Sequence, residues 1–325
     1  LESISVVSNL RSFRDSTDDD MINWKSDFYH VSCTISDFSE CSYEVGYSFL
    51  NGRKKKVLKI GDSHISKAID FYGNIINVFF TPLDNNIING NVSVRRRYFD
   101  SVISKTDKRY LELIMSYRKL NIERNILLKN KKNGINSSNF HKNMEVWTDM
   151  ISAVIVDIVA RRNNFIIKYN NTLFESYNKI SGKSDGPSIN YHSDFTNLDK
   201  ESVFEILISS LNNDIRYGFS TKGCHKDIYN ILNYDNRVFK DVSSQGEIRS
   251  AAIALKISEM NYIESVSNKK AVVLVDDIFS ELDVIRKKNM INLFNRGNQV
   301  IMTMANFDKL SFDELPDLNI IKIGK

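Results

Sequence analysis

The stretch Lys270-Ala-Val-Val-Leu-Val-Asp-Asp-Ile-Phe-Ser-Glu-Leu-Asp283 decides the fold. Its apolar run, Ala271 to Val275, leads without interruption into two adjacent carboxylates, Asp276 and Asp277. A short unbroken apolar run bounded by polar residues predicts a strand buried on both faces. The carboxylates then sit at the strand's carboxyl end, where open α/β sheets place their ligands. Charges at the tip of a buried strand are costly unless a cation meets them. A Mg²⁺ carrying nucleotide phosphates is the commonest partner for this pattern. The stretch therefore reads as a Walker-B-like site; the plainer alternative is a core strand entering an acidic turn.

Downstream, a helix over residues 285–294 leads to Gln299-Val-Ile-Met-Thr303, a second buried strand that ends in a hydroxyl. Two strands joined by a helix predict a βαβ unit in a largely parallel core. Upstream lies Val242-Ser-Ser-Gln-Gly-Glu-Ile-Arg-Ser-Ala-Ala-Ile-Ala-Leu-Lys256. Ile248, Ala251, Ala252 and Leu255 mark one helical face, and Ser244 with Glu247 fits a capping box at its start. A helix N-terminus beside a glycine also presents free N–H groups to an anion. Followed by the Asp-Asp strand, that turn becomes informative.

The remainder of the chain frames these two stretches. Residues 1–14 read as a helix and residues 15–20 as an acidic loop. Strands are expected over 28–35 and 43–49, and Asn51-Gly52 is a hairpin signal. The second arm opens with Arg53, Lys54, Lys55 and Lys56, which suit either phosphate contacts or a lysine-protected edge strand. Residues 75–80 form another apolar run, closed by Thr81-Pro82. From Arg95-Arg-Arg97 onward the pattern is helical, and Gly134 to Asn139 break it into two stretches, an antiparallel helical hairpin inserted into an α/β domain. Gly182-Lys183-Ser184 has the tail of a P-loop signature, but the required earlier glycine is Tyr177, so it reads as a helix stop. A strand is expected over 188–192 and a helix over 203–211. Two further strands, over 214–221 and 228–232, are expected around Gly223-Cys-His-Lys-Asp227.

At 325 residues the chain can hold two compact units, or one domain with a large insertion. No run approaches the length of a membrane span. The three cysteines, Cys33, Cys41 and Cys224, share no metal-ligand spacing and read as reduced thiols. The net charge of +4 permits nucleic-acid binding without demonstrating it.

Signature helix, Asp-Asp strand, Ser280-Glu-Leu-Asp283 and the Thr303 strand stand in the order of an ABC-type ATPase head, which a helical hairpin splits as in the SMC and Rad50 group. The finer resemblance is to the RecF family of bacterial DNA repair and replication proteins. It is carried by Leu1-Glu-Ser-Ile4 with Leu10-Arg-Ser-Phe-Arg14, Asn77-Val-Phe-Phe-Thr-Pro82, Arg95-Arg-Arg-Tyr-Phe-Asp100 and residues 117–129 with Arg124-Asn125. Val146-Trp147, Ala160-Arg-Arg162, Gly223-Cys-His-Lys-Asp227, Ser244-Gln-Gly246 and residues 276–283 carry it further. The expected division is 1–94, the N-terminal part of the head; 95–181, the helical insertion; and 182–325, the C-terminal part with signature and Walker B. The resemblance places the family's first strand and Walker A loop before Leu1, and no replacement follows. Read this way the chain is N-terminally truncated and binds ATP poorly without those N–H groups and that lysine. Glu247 and Ile248 stand where the family usually has glutamines, and Cys224 stands where it has proline.

The resemblance implies two heads that dimerise around ATP, with Walker A and B from one copy and the signature helix from the other. Asp276 would hold Mg²⁺, and Asp277 would orient or deprotonate the attacking water. Ser244 and the Gly246 N–H would meet the γ-phosphate across the dimer, with Gln245 and Arg249 among the nucleotide-binding positions. Asp283 would lie in the D-loop, Thr303 where many such enzymes place a switch histidine, and Thr81 near the Q-loop position. A slow ATPase acting as a clamp is implied, cytoplasmic and tied to the SOS response. It would bind duplex DNA beside single-stranded gaps, with RecR and RecO as partners and RecA loading as the outcome. Arg53 to Lys56 and Arg95 to Arg97 are candidate phosphate contacts, or equally solvated faces. The rival readings are a non-catalytic DNA-binding scaffold and another ABC-type head; the long hairpin argues against a transporter.

Overall fold

The computed structural model describes residues 1–14, 16–36, 40–135, 138–183, 185–294, 297–304 and 319–321. Two compact units are formed, one from 1–85, 175–186 and 244–325, the other from 86–174 and 187–243. The sequence division put 182–243 with the head; in the structure 187–243 instead packs with the inserted helices.

The first unit opens with helix α1 (Glu2–Asn9), stopped by Leu10 in the left-handed conformation. Four antiparallel strands follow in the order β1 (Phe28–Ser36), β2 (Glu40–Leu50), β3 (Arg53–Ile60) and β4 (Ser63–Ile65). The expected Asn51-Gly52 hairpin is present: Leu50 faces Arg53, and Asn51 and Gly52 both have positive φ, at 49° and 74°. β4 covers only Leu58–Ile60, which leaves Arg53–Val57 as an edge. Val45, Leu58, Phe71 and Ile75 close a core beneath this sheet with Val6 and Val7 of α1. A short helix α2 (Ala68–Phe71) supplies Phe71.

The second sheet of this unit is parallel, in the order β5 (Asn77–Phe80), β8 (Val272–Asp276), β9 (Val300–Thr303). The deciding stretch is thus its central strand, buried at Val273, Leu274 and Val275. Helix α10 (Gln245–Ser267) lies against it, buried on nearly all sides, and α11 (Val284–Phe294) crosses over between β8 and β9. Ile253, Ile257, Val273, Val275, Met290 and Phe294 belong to one continuous core. Burying such a chain all round is what a helix rich in alanine and isoleucine allows.

The second unit takes α3 (Asn85–Asn89) from its second residue, α4 (Val92–Thr106), α5 (Lys108–Lys132) and α6 (Phe140–Ser181) as far as residue 174; the rest of α6 belongs to the first unit. The expected two helical stretches are therefore three. Asp107 ends α4 and caps α5, its side chain accepting from the Tyr110 N–H at 2.9 Å. A two-stranded antiparallel ribbon, β6 (Ser188–His192) with β7 (Ile228–Leu232), encloses α7 (Lys200–Ser209) and α8 (Leu211–Tyr217), and α9 (Phe239–Val242) follows. The strand expected over 214–221 is not one: 211–217 is helix α8, and Gly218 ends it in the left-handed conformation. Asp214 decides the outcome, because its buried carboxylate pairs with Arg124 and takes two donors from Thr221.

Candidate functional site

The parallel sheet sets the first cluster. Register pairs Asp276 with Thr303 across β8 and β9. Thr303 Oγ1 donates to Asp276 Oδ1 at 2.8 Å, and the Thr303 carbonyl accepts from the Asp277 N–H at 3.1 Å. Arg14 Nη2 donates to Asp276 Oδ2 at 3.1 Å, so each carboxylate oxygen has a donor. Asp277 lies in the left-handed region, φ 48° and ψ 25°. Few residues other than glycine adopt it, and aspartate is among those that do. Ile278, Phe279 and Leu282 are sunk in the core behind it, and Ser280 Oγ donates to the Asp277 carbonyl at 2.8 Å. That turn holds the Asp277 carboxylate at the strand tip, where it meets no hydrogen-bond donor among the described residues.

The second cluster surrounds the start of α10. The expected capping box is present: Glu247 Oε2 accepts from both the N–H and the hydroxyl of Ser244 at 2.8 Å, and the Glu247 N–H donates to Ser244 Oγ at 3.3 Å. Lys183 Nζ donates to Glu247 Oε1 at 2.6 Å, and this bond, with those from Ser244, pulls the Glu247 carboxyl down to about 2. Lys183, from the rejected P-loop tail, thus serves the signature turn; Ser184 lies outside the described residues. With Glu247 engaged by its cap, the open N–H groups of the first turn are those of Gln245 and Gly246.

Arg286, in the first turn of α11, joins this turn to the one after β8. Its Nε donates to Ser250 Oγ at 2.8 Å, its Nη1 to Asp283 Oδ2, and its backbone N–H to Asp283 Oδ1 at 2.8 Å. Ser250 Oγ in turn donates to the Gly246 carbonyl at 2.9 Å. A Cβ at Gly246 would stand 3.6 Å from Arg286 Nη2. These bonds, the backbone N–H of Arg286 first, hold the Asp283 carboxyl below its ordinary value. Arg249 lines a small pocket with Thr81, Asp84, Asn85 and Leu282. Thr81, directly after β5, is buried, and its N–H donates to Asp84 Oδ2 at 2.7 Å. Sequence reading singled out neither Arg14 nor Arg286 as a site residue. A cation following Ser280-Glu-Leu-Asp283 by one helical turn was the available signal for Arg286.

The basic stretches are partly committed elsewhere. Lys54 Nζ donates to Asp19 at 2.5 Å, and Lys56 Nζ to Asp18 at 2.8 Å, so the acidic loop serves this strand. Arg53 and Lys55 are exposed on the edge. Arg95 Nε donates to the Tyr229 carbonyl at 2.7 Å and its Nη1 to that of Gly90 at 2.7 Å; Arg96 Nη1 reaches the Asp227 carbonyl at 3.0 Å. Arg97 is exposed.

Other motif residues build a buried polar network in the second unit. Arg162 donates to Asp227 at 2.6 Å, to Asp100 at 2.9 Å and to the Cys224 carbonyl at 2.8 Å. Tyr191 donates its hydroxyl to Asp227 at 2.5 Å. Gly223 has φ +141°, and a side chain there would collide with the Tyr117 hydroxyl, which bonds His225 Nδ1 at 2.5 Å.

Among the described residues no three or more His, Cys, Asp or Glu side chains gather to hold a metal. The oxygen donors at the strand tip suit a divalent ion that takes most of its ligands from phosphate and water. They do not suit an all-protein metal cage.

No protein-family model matches the chain. Curated relatives do. A DNA replication and repair protein RecF from Leptospira interrogans serogroup Icterohaemorrhagiae serovar Lai is 32% identical over 309 residues, 95% of this chain and 82% of the relative. The protein of the same name from Thermoanaerobacter sp. strain X514 is 32% identical over 312 residues, 93% and 83% of the two chains. Among solved structures, the recombination mediator protein RecF-ATP in the RecFOR pathway superposes with a TM-score of 0.82 at 30% identity, covering 94% of this chain and 83% of that one. A second, RecF-ATPrS in the same pathway, gives a TM-score of 0.84 at 29% identity, covering 94% and 82%. The fold that the resemblance implied, an α/β ABC-type head split by inserted helices, is thereby borne out. Identity at this level across more than nine-tenths of its length places the chain in the RecF family of DNA replication and repair proteins.

Proposed function

We propose that the chain is the head of a nucleotide-gated DNA clamp. Two copies close around ATP, hold duplex DNA beside single-stranded gaps, and work with RecR and RecO to load RecA. The observation that carries this reading is the β8 tip, where a left-handed Asp277 projects a carboxylate that meets no hydrogen-bond donor among the described residues, next to the Asp276–Thr303 pair. Family membership and the ATP in the neighbouring RecF structure support it.

Asp276 is the residue to hold Mg²⁺, with Thr303 fixing the orientation of its carboxylate. The bound ion would neutralise phosphate charge and anchor the nucleotide. Asp277 orients the attacking water and takes its proton. Ser244, Gln245, Gly246 and Arg249 of one copy face the nucleotide held by the other, the backbone N–H groups of 245 and 246 accommodating phosphate oxygens. Asp283 stands between the two sites in the dimer. DNA phosphates would fall to Arg53, Lys55 and Arg97, whose side chains are exposed, before Lys54, Lys56, Arg95 and Arg96, which already have partners.

The Arg14–Asp276 bond favours one second reading, a non-catalytic DNA-binding scaffold in which the carboxylate stays neutralised by arginine. Asp277→Asn, made in a chain that carries a Walker A loop, separates the two. Once ATP binding has been verified with a fluorescent analogue, the catalytic reading expects DNA-stimulated hydrolysis to fall by about a hundred-fold or more. ATP-dependent dimerisation, followed by gel filtration with light scattering, should survive. Unchanged turnover would remove Asp277 from the mechanism, and a monomer with and without ATP would end the clamp.

A further inference from the structure

The second unit carries a basic and aromatic surface that no step above uses. Tyr217 and Phe219 flank Gly218, and both are about half exposed, at 52% and 45%. Their ring centroids are 5.9 Å apart at an interplanar angle of 37°. Cations surround them. Lys226 Nζ lies 5.7 Å from the Phe219 centroid, and the Arg216 guanidinium lies 6.0 Å from that of Tyr217. Lys132 Nζ donates to the Tyr217 carbonyl at 3.1 Å. Gly218, at φ +80°, brings the turn so close to α5 that a Cβ would stand 2.9 Å from Lys132 Cδ and 3.7 Å from Lys129 Cα. The carboxylates of this segment do not neutralise these cations, because Asp214 and Asp227 are buried against Arg124 and Arg162.

The turn is also held rigidly from below. Arg124 Nη1 donates to Asp214 at 2.8 Å and to Ser220 Oγ at 2.7 Å. Asn125 Oδ1 accepts from the Ser220 N–H at 2.7 Å, and the Thr221 N–H donates to Asp214 Oδ1 at 2.8 Å. A buried ion pair is an expensive way to fix a surface loop, and its visible effect is to present two aromatic faces beside the charges of Lys132, Arg216 and Lys226, with Lys129 on the adjoining turn of α5. Stacking faces within a positive field are the features by which proteins hold nucleic acid whose bases are unpaired.

We propose that Tyr217 and Phe219, framed by Lys129, Lys132, Arg216 and Lys226, form a platform for single-stranded nucleic acid, the bases stacking on the rings and the phosphates meeting the cations. This rests on the DNA-binding reading above and deepens it, assigning the single-stranded part of a gapped substrate to the second unit.

The test is fluorescence anisotropy with labelled oligo-dT of about twenty nucleotides and a duplex of the same length, each across a salt series. The proteins are wild type, Tyr217→Ser/Phe219→Ser and Lys129→Gln/Lys226→Gln. The aromatic double variant should bind oligo-dT about ten-fold or more weakly while duplex affinity stays within about two-fold. The lysine variant should flatten the logarithmic salt dependence for oligo-dT by about 1.4. If the wild type binds neither probe, the DNA-binding reading itself falls. If it binds and the aromatic variant binds oligo-dT equally well, only the platform falls. Equal losses on both probes would overturn the single-strand assignment. Should a variant unfold, photocrosslinking of wild type to iododeoxyuridine oligonucleotides decides: adducts at Tyr217 or Phe219 support the platform, and adducts confined elsewhere overturn it.

Discussion

Arg286 joins two turns that are more than thirty residues apart along the chain, through Ser250 on α10 and Asp283 after β8. In the proposed dimer the first turn faces nucleotide held by the partner, and Asp283 lies between the two sites. Through Arg286, the position of one turn then depends on that of the other. Arg286→Ala should lower turnover roughly ten- to a hundred-fold, since small misplacements of reacting groups have effects of that size. Nucleotide affinity should change little, because Arg286 touches no expected phosphate. Arg286→Lys should restore only part of the rate, lacking the planar fork that reaches both partners at once. Steady-state kinetics with a separate binding titration checks this, and an equal loss in affinity and turnover would make Arg286 a binding residue instead. In the sequence it is one cation in Ile-Arg-Lys-Lys, and only its place one helical turn after Asp283 sets it apart from a solvated helix face. Asp276 and Asp277 were legible because a buried strand forces a reader to ask what meets the charges at its tip. Arg14 was not, because its partner is 262 residues away.

At the scale of elements, strong local signals carried through. The apolar run became the central strand β8, Asn51-Gly52 became the hairpin turn, and Ser244 with Glu247 became the cap of α10. α8 did not follow its pattern: Ile215, Tyr217 and Phe219 alternate as a strand would, yet 211–217 is helical. A tertiary contact overrides the local period here, since Asp214 reaches Arg124 from the helix. That contact gives a stability prediction. Arg124 and Asp214 are 1% and 0% exposed, so Asp214→Asn leaves a buried guanidinium without its counter-ion. The expected loss is about 3–5 kcal/mol, read as a lower chemical-denaturation midpoint. Replacing the pair together, Arg124→Met with Asp214→Leu, should recover much of it, because two apolar groups need no compensation. A double variant no better than the single one would show that the bonds to Ser220 and Thr221 matter more than the charges.

At the scale of the whole molecule, the two units should respond to acid in different pH windows. In the second unit His225 is neutral and enclosed: Tyr117 bonds Nδ1 at 2.5 Å and the Ser220 carbonyl faces Nε2 at 3.2 Å. Burial first, then the nearby charge of Lys226, lowers its pKa from 6.5 to about 4. Between those values the unfolded chain takes up a proton that the native one refuses, so native stability falls as pH drops from about 6.5 toward 4. For a shift of this size the loss reaches about 2 kcal/mol by pH 5. Burial pushes the Asp227 carboxyl up, which works in the opposite sense, so wild type must be compared with His225→Gln rather than with itself. In the first unit Glu247, held down to about 2 by Lys183 and Ser244, keeps its contribution above about 4.5 and loses it only as pH falls toward 2. Denaturation at pH 7, 6 and 5 should therefore show wild type losing about 2 kcal/mol relative to His225→Gln, with Glu247→Gln running parallel to wild type over that range. Parallel curves for wild type and His225→Gln would mean that His225 is protonated in the folded protein, and the neutral Tyr117–His225–Ser220 arrangement would then be wrong.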